Sequence, residues 1–304
     1  MASTLTSMRD AAQVARFHVV KAVRTRTLIF MVSIYVIAAA GIAWIFRGII
    51  HELEKNAANL LHVPVTDTPG AMIDTLREQG DLASTLEALV PEPELLQWAL
   101  DLPILTVSHF WMALGTLPFL AAAAGAEIIS PAIKDRSLRF ELVRTGRLEL
   151  VMGRWGGQAI LMMFATLMSI VGPWVIGVFF MANQPPVLQG TTLLLVTPRL
   201  IAWSLPFLGL GVACSQLTAN TNAARTLALG AVVGTWILWG TLKAPWLTDH
   251  APIVSDILSP LVPQAYMTGL WGPGNGWLVS ATVLTGLGLV FMLSVFPFFR
   301  RRNL

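Results

Sequence analysis

The chain has 304 residues, of which 55% are hydrophobic and only 12% charged, whereas a soluble globular domain carries about 25% charged residues. Its mean hydropathy is +0.67, its formal charge +3 and its pI about 9.4. These values exclude a soluble enzyme, a disordered chain and a secreted disulfide scaffold, and a single cysteine, Cys214, excludes both an intrachain disulfide and a thiolate cluster built from this chain alone.

Residues 1–27 come first and are polar and amphipathic. Leu5, Met8, Ala12, Ala15, Val19 and Val23 form a helical stripe, with Arg9, Arg16 and Arg24 beside or off it. Such a helix is expected to lie along the cytoplasmic membrane surface. No short apolar core with an A-x-A site appears early, so no cleavable signal peptide is expected.

A bilayer-spanning helix needs roughly 17–25 apolar residues. Six stretches qualify: Leu28–Phe46, Ile104–Ile129, Trp155–Ala182, Leu200–Leu217, Thr226–Leu242 and Trp277–Phe299. The fold class is therefore an all-α membrane protein of six spans, read as a single transmembrane domain over 1–304. Pro118 and Pro173 are the expected bend points of the two longest spans.

Residues 47–103 join the first two spans and carry ten acidic residues against three basic ones. Thr66-Asp67-Thr68-Pro69-Gly70 is turn chemistry. Met72, Ile73 and Leu76, then Leu82, Leu86 and Leu89, recur at helical spacing until Pro91 and Pro93. Two or three short helices over the outer face are expected, either as simple packing or as a surface for an extracytoplasmic partner.

The loop after the second span, 130–153, is the most informative segment. Ser130 suits an N-cap and Pro131 a first helical residue. Asp135 with Arg139, and Glu141 with Arg144, have pairing spacings within a helix that Gly146 ends. A second short helix, Arg147–Met152, leads into span three. Leu138, Phe140 and Leu142 are expected to be exposed among the charges, a surface suited to docking on another protein. Late in the chain, residues 243–276 hold five prolines among apolar stretches too short to cross. Short re-entrant or interfacial helices are expected there, with Trp246, Tyr266, Trp271 and Trp277 at the interface.

Lys and Arg set the orientation. Fifteen fall before span one, after span two, after span four and in the tail; five fall in the other segments. Both termini are therefore expected in the cytoplasm. Glu127, Arg199 and Arg225 are placed near span ends, leaving the span interiors nearly uncharged, which argues against an ion-coupled transporter. Gln158, Ser204 and Gln216 are the polar residues that could line a pathway or bond neighbouring helices. His18, His51, His62, His109 and His250 share no zinc-binding spacing. No G-x-S-x-G elbow is present.

The loop reads Glu127, then Asp135-Arg136-Ser137-Leu138, Glu141-Leu142, Thr145-Gly146-Arg147-Leu148-Glu149-Leu150 and Gly153-Arg154. This pattern, together with the layout, resembles type-2 ABC transporter permeases of the exporter class. Ser137 stands where the family usually has Gly, and Arg154 where it has Lys. The resemblance implies a non-catalytic transport subunit paired with a second permease copy, as a homodimer, and with a separate ABC ATPase. Ser130–Arg147 would be the coupling helix, with Lys134, Asp135, Arg136, Leu138, Arg139, Phe140, Glu141, Arg144 and Arg147 as the ATPase-docking residues. No cofactor is expected in this chain, since G-x-x-x-x-G-K-[ST] is missing; ATP and Mg would sit in the partner. A bacterial inner membrane is the implied location, and a nucleic-acid partner is not expected. The apolar spans favour a lipid, hydrophobic peptide or drug-like cargo. An ATPase-linked machine acting on an extracytoplasmic partner and an ion-coupled secondary transporter are the alternatives.

Overall fold

In the computed structural model, residues 2–62, 68–72, 98–182, 185–272 and 274–302 are described, and among them there are helices and no strand. In chain order these are α1 (Ala2–Arg24), α2 (Thr27–Leu61), α3 (Ile104–Ala126), α4 (Ser130–Lys134), α5 (Leu138–Leu142), α6 (Arg147–Ser169), α7 (Val171–Phe180), α8 (Pro186–Leu217) and α9 (Thr221–Leu242). Then follow α10 (Pro245–His250), α11 (Pro252–Leu258), two 3-10 turns, α12 (Met267–Trp271), α13 (Trp277–Ser294) and α14 (Phe296–Arg301). Six helices are long and apolar enough to cross a membrane. The ends of α1, α3, α6 and α14 gather at one end of the bundle, here the basic end; the opposite end is distal.

Two spans are longer than the apolar runs suggested. α2 has 35 residues, about 52 Å at 1.5 Å per residue, so its charged continuation from Arg47 projects beyond a hydrocarbon core of about 30 Å. α8 starts at Pro186, well before Leu200. Thr191, Thr192 and Thr197 donate to carbonyls one turn back at 2.8–2.9 Å, so their hydroxyls are satisfied inside the helix. Span three bends where expected: α6 gives way to α7 at Ile170. Pro173 has no N–H for the Ser169 carbonyl and clashes with it. Gln189 fills the bend by donating to the Pro173 carbonyl at 2.8 Å. Pro118 lies within α3 without interrupting it.

α8 is the central helix, packed between α3 and α13. Glycine makes this possible. A Cβ on Gly211 would lie 2.2 Å from the Ala122 carbonyl oxygen, and one on Gly209 would lie 2.1 Å from that of Gly288. Backbones that close gain dispersion contacts where lipid offers no hydrophobic driving force. Trp203 is fully buried between them and donates from Nε1 to the Leu114 carbonyl at 2.9 Å.

α1 is seated against α6. Gly153 and Gly157, one turn apart, face Ala11 and Ala15: a Cβ there would fall 2.5 Å and 2.9 Å from their carbonyl oxygens. The face toward the bundle is therefore Ala11, Val14, Ala15, His18 and Ala22, while Met8, Ala12 and Val23 of the expected apolar stripe are exposed. Among the distal segments, 68–72 form a turn held by the buried Glu54, whose carboxylate accepts from Gly70 N at 3.0 Å and Met72 N at 2.8 Å. The helices expected over 73–89 lie outside the described residues. Between α9 and α13 the chain is a series of short helical pieces, each begun by a proline at its first turn (Pro245, Pro252, Pro260, Pro263) up to the last.

Candidate functional site

The loop between α3 and α6 is not one helix closed by Gly146. Arg136 adopts φ +54 and splits it into α4 and α5. Gly146 instead has extended backbone and precedes α6, which runs without interruption from Arg147 into the third span. The loop is fastened at its α3 root. Ser130 Oγ donates to the Ala126 carbonyl at 2.9 Å rather than capping α4. Glu127 pairs with Arg225 of α9 at 2.7 Å.

Arg154 is the principal fastener. One guanidinium nitrogen donates to both Glu141 carboxylate oxygens at 2.6 Å, and the other to the Ile128 carbonyl at 2.6 Å. Glu141 thus pairs across the loop and not with Arg144. The fork ties α5 to the end of α3 and to α6. Arg154→Met should cost about 2 kcal/mol, because charge-assisted hydrogen bonds contribute roughly 1.5–3 kcal/mol each and this pair is partly exposed. Arg154→Lys should cost less, keeping the charge and losing the fork. Thermal melting of the purified variants in detergent checks the order; equal midpoints for Met and the parent would contradict it.

The expected docking residues divide. Lys134, Asp135, Arg136, Arg139 and Arg144 are exposed. Phe140 is 79% exposed, and so, at 84%, is Val143, which the sequence reading did not single out. Leu138 is a correction: it is 1% exposed and packs into the core, since the break at Arg136 turns it inward. Arg147 is committed elsewhere. Its guanidinium donates to the Phe299 carbonyl at 2.9 Å, to that of Arg302 at 3.2 Å and to that of Arg300, closing the end of α14.

The polar span residues divide too. Ser204 Oγ donates to the Ile201 carbonyl within its own helix. Gln216 Nε2 donates to the Met292 carbonyl at 3.0 Å, joining α8 to α13. Both are buried helix contacts. Gln158 differs. It lines a cavity of about 960 Å³ between α1, the start of α2, the end of α3 and the loop. Its side-chain oxygen lies 3.0 Å from His18 Nε2. Burial lowers the His18 imidazole from its ordinary value; the Gln158 hydrogen bond opposes this, and nearby Arg154 and Lys21 reinforce it. His18 is therefore neutral at pH 7.

Arg199 does not mark the start of its helix: it lies inside α8 and is only 2% exposed. Its guanidinium donates to the Leu270 carbonyl at 3.0 Å and lies 4.9 Å from the Trp98 ring centre and 5.7 Å from that of Trp277. Among the described residues it has no carboxylate partner, and no group of three His, Cys, Asp or Glu side chains is set to hold a metal.

One family profile, described as ABC-2 family transporter protein, matches residues 12–276. A search of curated proteins found no match.

Proposed function

The chain belongs to the ABC-2 transporter permease family and is a multi-pass membrane permease subunit of an ABC transporter, and we propose that it works as an exporter driven by a separate ATPase seated on the loop 130–147. The observation that carries this reading is the Phe140–Val143 protrusion: two bare apolar side chains among Lys134, Arg136, Arg139 and Arg144, on a loop fastened to two spans. Exposed apolar anchors with a charged rim suit a protein interface. A displacement imposed there passes through Arg154 to the end of α3 and directly along the unbroken α6.

In this reading the chain is non-catalytic. ATP and Mg are held by the ATPase, and a second permease copy completes the pathway as a homodimer. The basic end faces the cytoplasm, as the distribution of Lys and Arg supports, and a bacterial inner membrane is the setting. Gentle detergent purification of the tagged chain should recover a stoichiometric ATPase with vanadate-sensitive turnover. A chain that purifies alone from its own host, with no associated ATP hydrolysis, would overturn the proposal.

A further inference from the structure

The cavity behind α1 has two chemically distinct parts. Leu28, Phe30, Met31, Ile34, Leu120 and Leu161 give it an apolar wall at the start of the spans. Phe30 and Ile34 are themselves partly open to the surroundings. The other part is polar and holds charges of both signs: Asp10, Glu127, Asp135 and Glu141 line it, Glu127 being paired with Arg225 and Glu141 with Arg154. Three of its donors, however, lack a strong acceptor. The Tyr35 hydroxyl is buried and has no hydrogen-bond partner among the described residues. Gln158, also buried, has only the weak acceptor Met31 Sδ, at 3.9 Å, for its amide nitrogen. Lys21 lines the same cavity, and no carboxylate among the described residues pairs with it. Arg154 is also in its wall, with Glu141 as its partner.

A cavity of about 960 Å³ falls at the upper end of ligand sites, roughly 300–1,000 Å³. Unpartnered buried donors cost free energy unless something accepts from them. The Tyr35 hydroxyl, the Gln158 amide and the Lys21 ammonium, with the apolar wall beside them, fit an anion attached to a hydrocarbon chain. We propose that this cavity is a binding site for one anionic membrane lipid of the leaflet at the basic end, its phosphate held by Lys21, Gln158 and Tyr35 and its acyl chain laid along Met31, Ile34 and Leu161. The site needs neither ATP nor the ATPase, so it stands or falls independently of the transport reading.

The test uses the purified full chain and native mass spectrometry with phosphatidylglycerol, with phosphatidylcholine, and with phosphatidylglycerol in the presence of inorganic phosphate. One phosphatidylglycerol per chain should be retained with about tenfold preference over phosphatidylcholine, a difference of about 1.4 kcal/mol. Inorganic phosphate should not displace it. Lys21→Ala should weaken retention about fivefold, since one basic residue near an anionic lipid contributes about 1 kcal/mol. Ile34→Trp, at a partly exposed position that tolerates bulk without unfolding, should block the chain. Equal retention of phosphatidylcholine would make the site an unspecific lipid contact. Displacement by phosphate would mean a free-anion site. Retention unchanged in both variants would put the lipid elsewhere. Each of these results overturns the proposal.

Discussion

A Phe140→Asp, Val143→Asp double variant should lose capture of the ATPase by about a hundredfold or more while melting at the parent temperature. Both side chains stand in solvent, at 79% and 84% exposure, so charging them removes nothing from the core. At a protein interface, two central apolar anchors contribute about 2 kcal/mol each or more, and 4 kcal/mol is nearly a thousandfold in affinity. Burying a carboxylate there would add a desolvation penalty. Leu138→Asp is the control, because Leu138 points the other way. It should lower the melting temperature and impair ATPase capture only through unfolding. Pull-down of the ATPase from the native host, paired with melting curves, separates the two. Undiminished capture by the double variant would remove the protrusion from the interface.

Replacing Arg199 should damage the protein from the opposite end. Arg199→Ala is expected to cost about 3 kcal/mol, more than Arg154→Met. The loss includes a buried charge-assisted hydrogen bond to the Leu270 carbonyl at 3.0 Å and two ring contacts, to Trp98 and Trp277. It also leaves a space among packed aromatic rings: Trp98, Phe110 and Trp271 meet edge-to-face with centroids 4.4–6.4 Å apart. One offset opposes these losses, since removing the cation relieves its own desolvation. Arg199→Lys should fall between, with an ammonium able to reach a carbonyl but not to stack as a plane. Thermal unfolding followed by circular dichroism reads the effect. An Arg199→Ala midpoint equal to that of the parent would show that the cation is not a clamp on the distal end.

The placement of Arg199 also shows how the start of a helix can be misjudged from its letters. The run Leu193-Leu194-Leu195-Val196-Thr197-Pro198-Arg199 has a proline and a cation at its end, which reads as a boundary. In the fold Thr197 is satisfied by the carbonyl one turn back in the helix, and the arginine reaches the carbonyls at the end of α12. The helix continues through Thr197, Pro198 and Arg199, and of these three only Arg199 has a distant hydrogen-bond partner among the described residues. The docking loop failed in a parallel way. Its composition identified a charged, apolar-bearing segment, but the left-handed backbone at Arg136 turned Leu138 inward and left Val143 outside. No local propensity demands a positive φ at arginine.

What the sequence determined by itself was what solvent preference sets along the chain: six apolar helices and the segregation of most Lys and Arg from them, together with the break at Pro173, though not the expected one at Pro118. The first two follow from transfer of each residue between water and hydrocarbon, which depends little on neighbours. The loop from Glu127 to Arg154 was also legible, as a family likeness. Only the tertiary structure decided which face of α1 meets the bundle, where Gly153 and Gly157 accept Ala11 and Ala15. Only it assembled the cavity from α1, α2, α3 and the loop, and only it assigned Arg154 to Glu141 and Ile128. These are pairings between segments far apart in the chain. They are set by close backbone approach and by hydrogen-bond geometry, and neither is encoded in the hydropathy of any single stretch.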